Sequence, residues 1–160
     1  MNLIPASNIR KIEVFMEMAV VLSQLSTCSR RKVGAILVDA NHHIIGSGYN
    51  GVPKKLPHCT DIQCGGENFP SGQGLDVCQA IHAEQNALMQ CPDVMKIDRI
   101  YVTTFPCTHC IKMLLNTGCK SIYYREPYST VSEHIWKSAF VPGERTLNVY
   151  HIPNTMVSKV

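Results

Sequence analysis

His82-Ala83-Glu84 and Pro106-Cys107-Thr108-His109-Cys110 set one imidazole, two thiols and one carboxylate in a pattern suited to metal-assisted hydrolysis. Zinc takes nitrogen and sulfur ligands tetrahedrally. Three protein ligands leave a fourth position for water, whose pKa the metal lowers toward roughly 7. Two positions after a ligand, Glu84 can lie beside that water without binding the metal. A carboxylate so placed can move the protons of a hydrolytic deamination of a nucleobase. Each half of the pattern has a plainer explanation: His-x-Glu is commonly a surface pair on a helix, and Cys-x-x-Cys is as often a redox pair or half of a structural zinc site. Their conjunction favours a catalytic zinc held by His82, Cys107 and Cys110. A thioredoxin-type dithiol would bring its Trp-Cys sequence, which is missing here. His109, the nearest fourth ligand for a closed site, stands between the two thiols and is expected to be exposed.

These residues need a fold to hold them. A length of 160 residues fits one domain over 1–160, and 45% hydrophobic content is ordinary for a globular chain. A formal charge of +3 is too small to imply a nucleic-acid partner, although Arg30, Arg31 and Lys32 form a local cluster that could meet a phosphate. Between Ile9 and Leu25, Arg10, Lys11, Glu13 and Glu17 interrupt the apolar run, so the stretch is read as an amphipathic helix and not as a signal or membrane segment. Its expected core stripe is Ile12, Phe15, Met16, Ala19 and Leu22, with Ser7 or Asn8 as its cap. Eight cysteines without a secretion signal favour metal and free thiols in the cytoplasm over disulfides.

Lys32 to Asp39 and His43 to Tyr49 read as strands joined by a turn at Ala40-Asn41. The unbroken apolar run from Val33 to Val38 suits a strand covered on both faces. Gly51 to Val77 is rich in Pro, Gly, Cys and Asn and too long for an unsupported loop, so something must hold it. Four thiolates on a zinc, from Cys28, Cys59, Cys64 and Cys78, would make a zinc-bound insertion of about 51–78. Their spacing fits no compact zinc ribbon, and buried free thiols, or His58 as a substitute ligand, are the alternatives. A second helix is expected from Gln79 to Gln90 with His82 and Glu84 near its start, followed by a strand from Arg99 to Thr103. The third helix begins at the thiolates: Cys107 and Cys110 share one side of its first turn, where the dipole favours ionised sulfur. Ile111, Leu114 and Leu115 form its buried stripe, and Gly118 its stop. Ser121 to Tyr124 is read as a strand, Ser132 to Ala139 as a short helix and Leu147 to His151 as a last strand, with the final two strands parallel through a right-handed crossover. Beyond Pro153 a tail is expected.

From Thr27 to Arg125 the chain resembles the zinc-dependent deoxycytidylate deaminases, in particular the bacterial and phage type similar to the late competence operon deaminases. The resemblance rests on Lys32-Val33-Gly34-Ala35, Gly48-Tyr49-Asn50-Gly51-Val52-Pro53, His58-Cys59, Cys64, Cys78, His82-Ala83-Glu84-Gln85-Asn86-Ala87, Tyr101-Val102-Thr103 and Pro106-Cys107-Thr108-His109-Cys110. It implies an α/β chain of the cytidine-deaminase-like fold, three α/β/α layers around a mixed five-stranded sheet. It also implies His82, Cys107 and Cys110 as catalytic zinc ligands and Glu84 as the acid and base that turns dCMP into dUMP and ammonia. Ala83 would present its backbone to the base, and Asn50 would meet a sugar hydroxyl, where the residues alone suggest an Asn-Gly turn. Relatives carry a second, structural zinc in the region of Cys28, Cys59, Cys64 and Cys78. Arg30, Lys32 and Arg125 become candidate phosphate contacts, with Tyr128 closing over the substrate. The resemblance further implies a homo-oligomer, a hexamer, regulated by dCTP with magnesium and by dTTP, with Gly48, Tyr49, Asn50 and Gly51 as the associated stretch. Two other functions share these motifs. A deaminase of tRNA or single-stranded DNA would need a broader basic surface and aromatic platforms, and a non-catalytic zinc module would have no use for Glu84.

Overall fold

The buried run around Ile36 organises the molecule. In a computed structural model, which describes residues 6–70, 72–128 and 147–153, all of β1 (Gly34–Val38) is buried. Ala35 and Leu37 join one core cluster and Ile36 and Val38 another, as the alternation of a strand requires. β2 (Ile44–Tyr49) and β3 (Arg99–Thr104) flank β1 antiparallel. β4 (Ser121–Glu126) and β5 (Asn148–His151) follow in parallel, which completes a mixed five-stranded sheet in the order β2-β1-β3-β4-β5.

Helices cover both faces. α1 (Ala6–Ser23) sets Ile12, Met16 and Ala19 against Ile36, Val38, Tyr101 and Tyr123, with Phe15 and Leu22 packed beside them. α2 (Ala83–Gln90) and α3 (Thr108–Leu115) lie on the other face, where Ala83, Ala87, Leu88, Ile111 and Leu114 meet Ala35, Leu37, Ile100, Val102 and Ile122. Each fully buried aliphatic side chain contributes about 1.5–3 kcal/mol relative to exposure, so the two clusters supply most of the driving force. The result is the three-layer α/β/α arrangement the resemblance implies. No helix among the described residues is long and apolar enough to cross a membrane.

Several expected details differ. Ser7 and Asn8 lie inside α1 and do not cap it. The hairpin turn between β1 and β2 does fall at Ala40-Asn41 as expected, held by Asp39, whose Oδ1 accepts from the backbone N–H groups of Asn41 and His43 at 2.8 Å each, with the left-handed position on His42 at φ 66°. α2 starts at Ala83 and not at Gln79, because Ile81 pairs instead with Gly51 in an isolated antiparallel bridge. α3 ends at Leu115 with Asn116 as its C-cap, so Gly118 is not the stop. Gly118 instead lets the chain lie on the turn at Val94–Lys96, since a Cβ there would stand 2.0 Å from the Met95 carbonyl oxygen. The helix expected over Ser132–Ala139 and the tail from 154 onward fall outside the described residues.

Candidate active site

Two helix N-termini converge on one spot. His82 is the N-cap of α2, Cys107 is the N-cap of α3, and Cys110 lies in the first turn of α3. The Gly51–Ile81 bridge pins the residue before His82, with N–H to O distances of 3.1 and 2.8 Å, and Gln85 Oε1 accepts the His82 N–H at 2.9 Å. β3 delivers Cys107 through Phe105 and Pro106, both buried. His82 Nδ1 thereby stands 3.4 Å from Cys107 Sγ and 3.5 Å from Cys110 Sγ. Zinc–nitrogen bonds of about 2.0–2.1 Å and zinc–sulfur bonds of about 2.3 Å at the tetrahedral angle separate N and S by about 3.6 Å. The cluster fits zinc. Among the described residues it forms the one group of three His, Cys, Asp or Glu ligand atoms lying within 4.8 Å of one another.

Beside it Glu84 is only 4% exposed. Burial pushes its carboxyl up to about 7, against the pull of a backbone hydrogen bond and of His82. Burying a charged carboxylate costs several kcal/mol, more than one hydrogen bond returns, so this position is expensive for a residue without a chemical task. The hydrogen bond between the two thiols holds Cys107 down at about 4 against burial and pushes Cys110 up. The two thiols share their proton unequally, and a cation binding here displaces whatever proton the pair retains. The hydrogen bond to Cys107 in turn raises His82.

A cavity of about 280 Å³ opens on this cluster. His82, Ala83, Glu84 and Cys107 form its floor, and Asn50, Arg30 and Tyr128, all expected from sequence, stand on its walls. Asn50 is not a turn apex. Its Oδ1 accepts from Val33 N at 2.7 Å and its Nδ2 donates to the Arg31 carbonyl at 2.8 Å, tying the chain before β1 to the end of β2. Lys32 and Arg125 do not line the cavity. Arg125 Nη2 pairs with Glu17 Oε1 of α1 at 2.7 Å, on the opposite face of the sheet. Arg31, a member of the basic cluster, also lines the cavity, and so do Phe69, Leu75 and Phe105, which the sequence reading does not reach. Phe69 and Leu75 lie in a segment without periodicity to mark them. His109 is exposed, as expected.

The other cysteines gather around the inserted segment. Cys64 Sγ lies 3.9 Å from Cys78 Sγ, and Cys28 and Cys64 are buried. Burial pushes the Cys59 and Cys78 thiols up, and in both cases Cys64 and Cys28 are near enough to add to the shift. His58 turns its Nδ1 to Thr27 Oγ1 at 3.0 Å. The stretch Gly48 to Gly51 packs on α2: a Cβ on Gly48 would lie 2.4 Å from both the Ala83 oxygen and the Ala87 nitrogen, and Asn86 Nδ2 donates to the Tyr49 carbonyl at 2.8 Å.

An α/β/α sheet that presents an imidazole and two thiols from helix N-termini to a cavity defines a zinc-binding domain of the deaminase fold. The chain belongs to the cytidine and deoxycytidylate deaminase family, whose zinc-binding-region model matches residues 9–126. It is 36% identical over 119 residues to the deoxycytidylate deaminase of Schizosaccharomyces pombe, a match that covers 72% of this chain and 37% of the yeast protein. It is 38% identical over 139 residues to ComE operon protein 2 of Bacillus subtilis, covering 83% of this chain and 69% of the relative. The dCMP deaminase of cyanophage S-TIM5, solved in complex with dCMP and dUMP, superposes with a TM-score of 0.67 at 30% identity, covering 96% of this chain and all of the phage chain.

Proposed function

We propose that the protein is a zinc-dependent deaminase that converts dCMP and water to dUMP and ammonia in cytoplasmic deoxynucleotide metabolism. The observation that carries this reading is a buried carboxylate, Glu84, beside a His/Cys/Cys cluster at one cavity. Similarity to a solved enzyme that holds dCMP and dUMP supports the substrate. His82, Cys107 and Cys110 would hold the zinc, which when bound supplies Lewis acidity toward the attacking water. The side chains do the rest. A carboxylate oxygen of Glu84 accepts the proton the attacking water gives up and passes it to ring N3, leaving C4 electron-poor. Once the water oxygen has bonded to C4, the same carboxylate takes the remaining proton of that C4 hydroxyl and carries it to the 4-amino group, and the C4–N bond breaks to release ammonia as the C4 carbonyl forms. Ala83 leaves room for a flat base against its backbone. Asn50 keeps one N–H and one lone pair for a sugar hydroxyl.

Ammonia release from dCMP, CMP, deoxycytidine, dCTP and a short single-stranded oligonucleotide tests the reading. Selective turnover of dCMP is expected. Turnover of the oligonucleotide alone would move the function to nucleic acid, and silence on every substrate with zinc bound would leave a non-catalytic zinc module.

The same reading extends to a second zinc on Cys28, Cys59, Cys64 and Cys78. Two thiolates on one tetrahedral zinc stand about 3.8 Å apart, and the 3.9 Å between Cys64 and Cys78 supports such a site. It also extends to a homohexamer regulated by dCTP with magnesium and by dTTP through Gly48–Gly51, which sizing and assays with these nucleotides test.

A further inference from the structure

Most buried hydroxyls and amides of this chain are paired within it. Ser23 donates to the Val20 carbonyl at 2.7 Å and Thr117 to the Leu114 carbonyl at 2.7 Å, while Ser26 accepts from Cys28 N at 3.2 Å and Thr103 from Gly34 N at 3.1 Å. Asn50 is bonded on both sides of its amide. Thr104, only 6% exposed, makes no side-chain hydrogen bond among the described residues. An unpaired buried hydroxyl costs about 1–3 kcal/mol, so its place asks for an explanation. The Tyr101 hydroxyl is also unpaired, but it is sealed in the cluster under α1, away from the cavity. Thr104 ends β3 on the face of Ile100 and Val102, the side of α2 and α3, and it lines the cavity.

Burial grades that cavity. Ala83, Glu84, Thr104, Phe105 and Cys107 are buried at the metal cluster, whereas Glu67 and Phe69 of the inserted segment are exposed and form the mouth. Arg30 fastens this outer wall, its Nη2 donating to the carbonyls of Phe69, Pro70 and Gln73 at 3.2, 2.8 and 3.1 Å. A nucleotide must therefore put its base at the buried end, with C4 at the cluster, and its sugar toward the mouth. In a pyrimidine, N3 and C5 flank C4 on opposite sides. α2 supplies Glu84 for the N3 side, which leaves the C5 side to the chain that enters from β3, Thr104 and Phe105. Phe105 is apolar and meets Tyr124 edge-on with ring centres 4.9 Å apart, so the hydroxyl of Thr104 is the polar group on that side.

We propose that Thr104 is a specificity-determining residue that reads the substituent at C5 of the base and favours a hydroxymethyl group over a methyl group there. The assignment rests on the cytosine-nucleotide reading above for its substrate class. A methyl group would cover the Thr104 hydroxyl without pairing it. A hydroxymethyl group carries the donor and acceptor that pair it.

Calorimetric binding of 5-hydroxymethyl-dUMP and of dTMP to the zinc-loaded protein, with dUMP as reference, tests this without requiring turnover. Wild type should prefer the hydroxymethyl ligand to the methyl ligand by roughly 3- to 10-fold, the worth of one neutral hydrogen bond. Thr104→Val exchanges the hydroxyl for a methyl group of the same shape and should abolish or invert that preference. Its thermal midpoint should hold or rise, because no hydrogen bond within the chain is lost and valine suits a strand. Thr104→Ser keeps the hydroxyl and should keep the preference. A wild type without the preference, a preference that survives Thr104→Val or is lost in Thr104→Ser, or a lowered midpoint in Thr104→Val overturns the assignment. Ammonia release separates the two ideas. Turnover of dCMP together with a preference indifferent to Thr104 sinks the C5 contact alone, whereas a Thr104-dependent preference without turnover of any substrate sinks the deaminase reading alone.

Discussion

Glu84 and Asn50 are both buried polar side chains, and they carry opposite expectations. Glu84 occupies an unfavourable place for a carboxylate, so Glu84→Gln should preserve or raise the thermal midpoint and retain zinc. Its kcat should fall by roughly 10²–10⁴, the usual worth of a positioned proton carrier. Unchanged turnover would remove Glu84 from the mechanism. Asn50 is satisfied on both sides of its amide. Asn50→Ala leaves a buried donor and acceptor unpaired and should cost about 1–3 kcal/mol in a denaturant titration, besides any loss of sugar binding. A rise in KM with an unshifted unfolding midpoint would make Asn50 a ligand contact and nothing more. The motif made Glu84 legible from sequence, because its distance from a metal ligand is a local matter. The hydrogen bonds of Asn50 were not legible, because its partners lie 17 and 19 positions away.

At the level of elements, the position of His82 depends on how closely β2 lies on α2. Adding a methyl at Gly48 would bring it against backbone atoms of Ala83 and Ala87 at 2.4 Å, and backbone cannot swing aside. Gly48→Ala should therefore cost about 1–3 kcal/mol by overpacking and weaken zinc binding, because α2 carries a ligand. Gly51→Ala is the control: a Cβ there meets nothing within 4 Å, and its φ is not in the left-handed region. Denaturation midpoints and a zinc-competition titration on both variants check this, and equal losses would refute the close-approach account. The helices and strands were foreseen from alternation and helical spacing, as with Ile12, Met16 and Ala19. Their ends were not, because α2 is shortened by the Gly51–Ile81 bridge and Gly118 answers to Met95, both contacts between segments far apart in the chain.

For the whole molecule, the decisive quantity is the number of metals it holds. Metal analysis of the purified protein should find two zinc ions per chain under the reading of two sites, and one in Cys64→Ser. That variant should keep the catalytic zinc, lose several degrees of thermal midpoint, and expose the inserted segment to protease. One zinc in the wild type would reduce Cys28, Cys59, Cys64 and Cys78 to packed thiols. Residue types and short spacings were enough to give the alternation of helices and strands, the zinc-type ligands and the neighbouring carboxylate, because ligand softness, proton chemistry and the periods of strand and helix are local properties, whereas the layered arrangement of the sheet was implied by the family resemblance. The inserted segment as a wall of the cavity, the withdrawal of Arg125 to Glu17, the bonds from Arg30 to the carbonyls of Phe69, Pro70 and Gln73 and the seat of Arg31 on Tyr128 emerged with the folded chain. Each depends on which carbonyls, rings and carboxylates are brought within hydrogen-bonding or stacking distance, and side-chain type does not encode that across dozens of intervening residues.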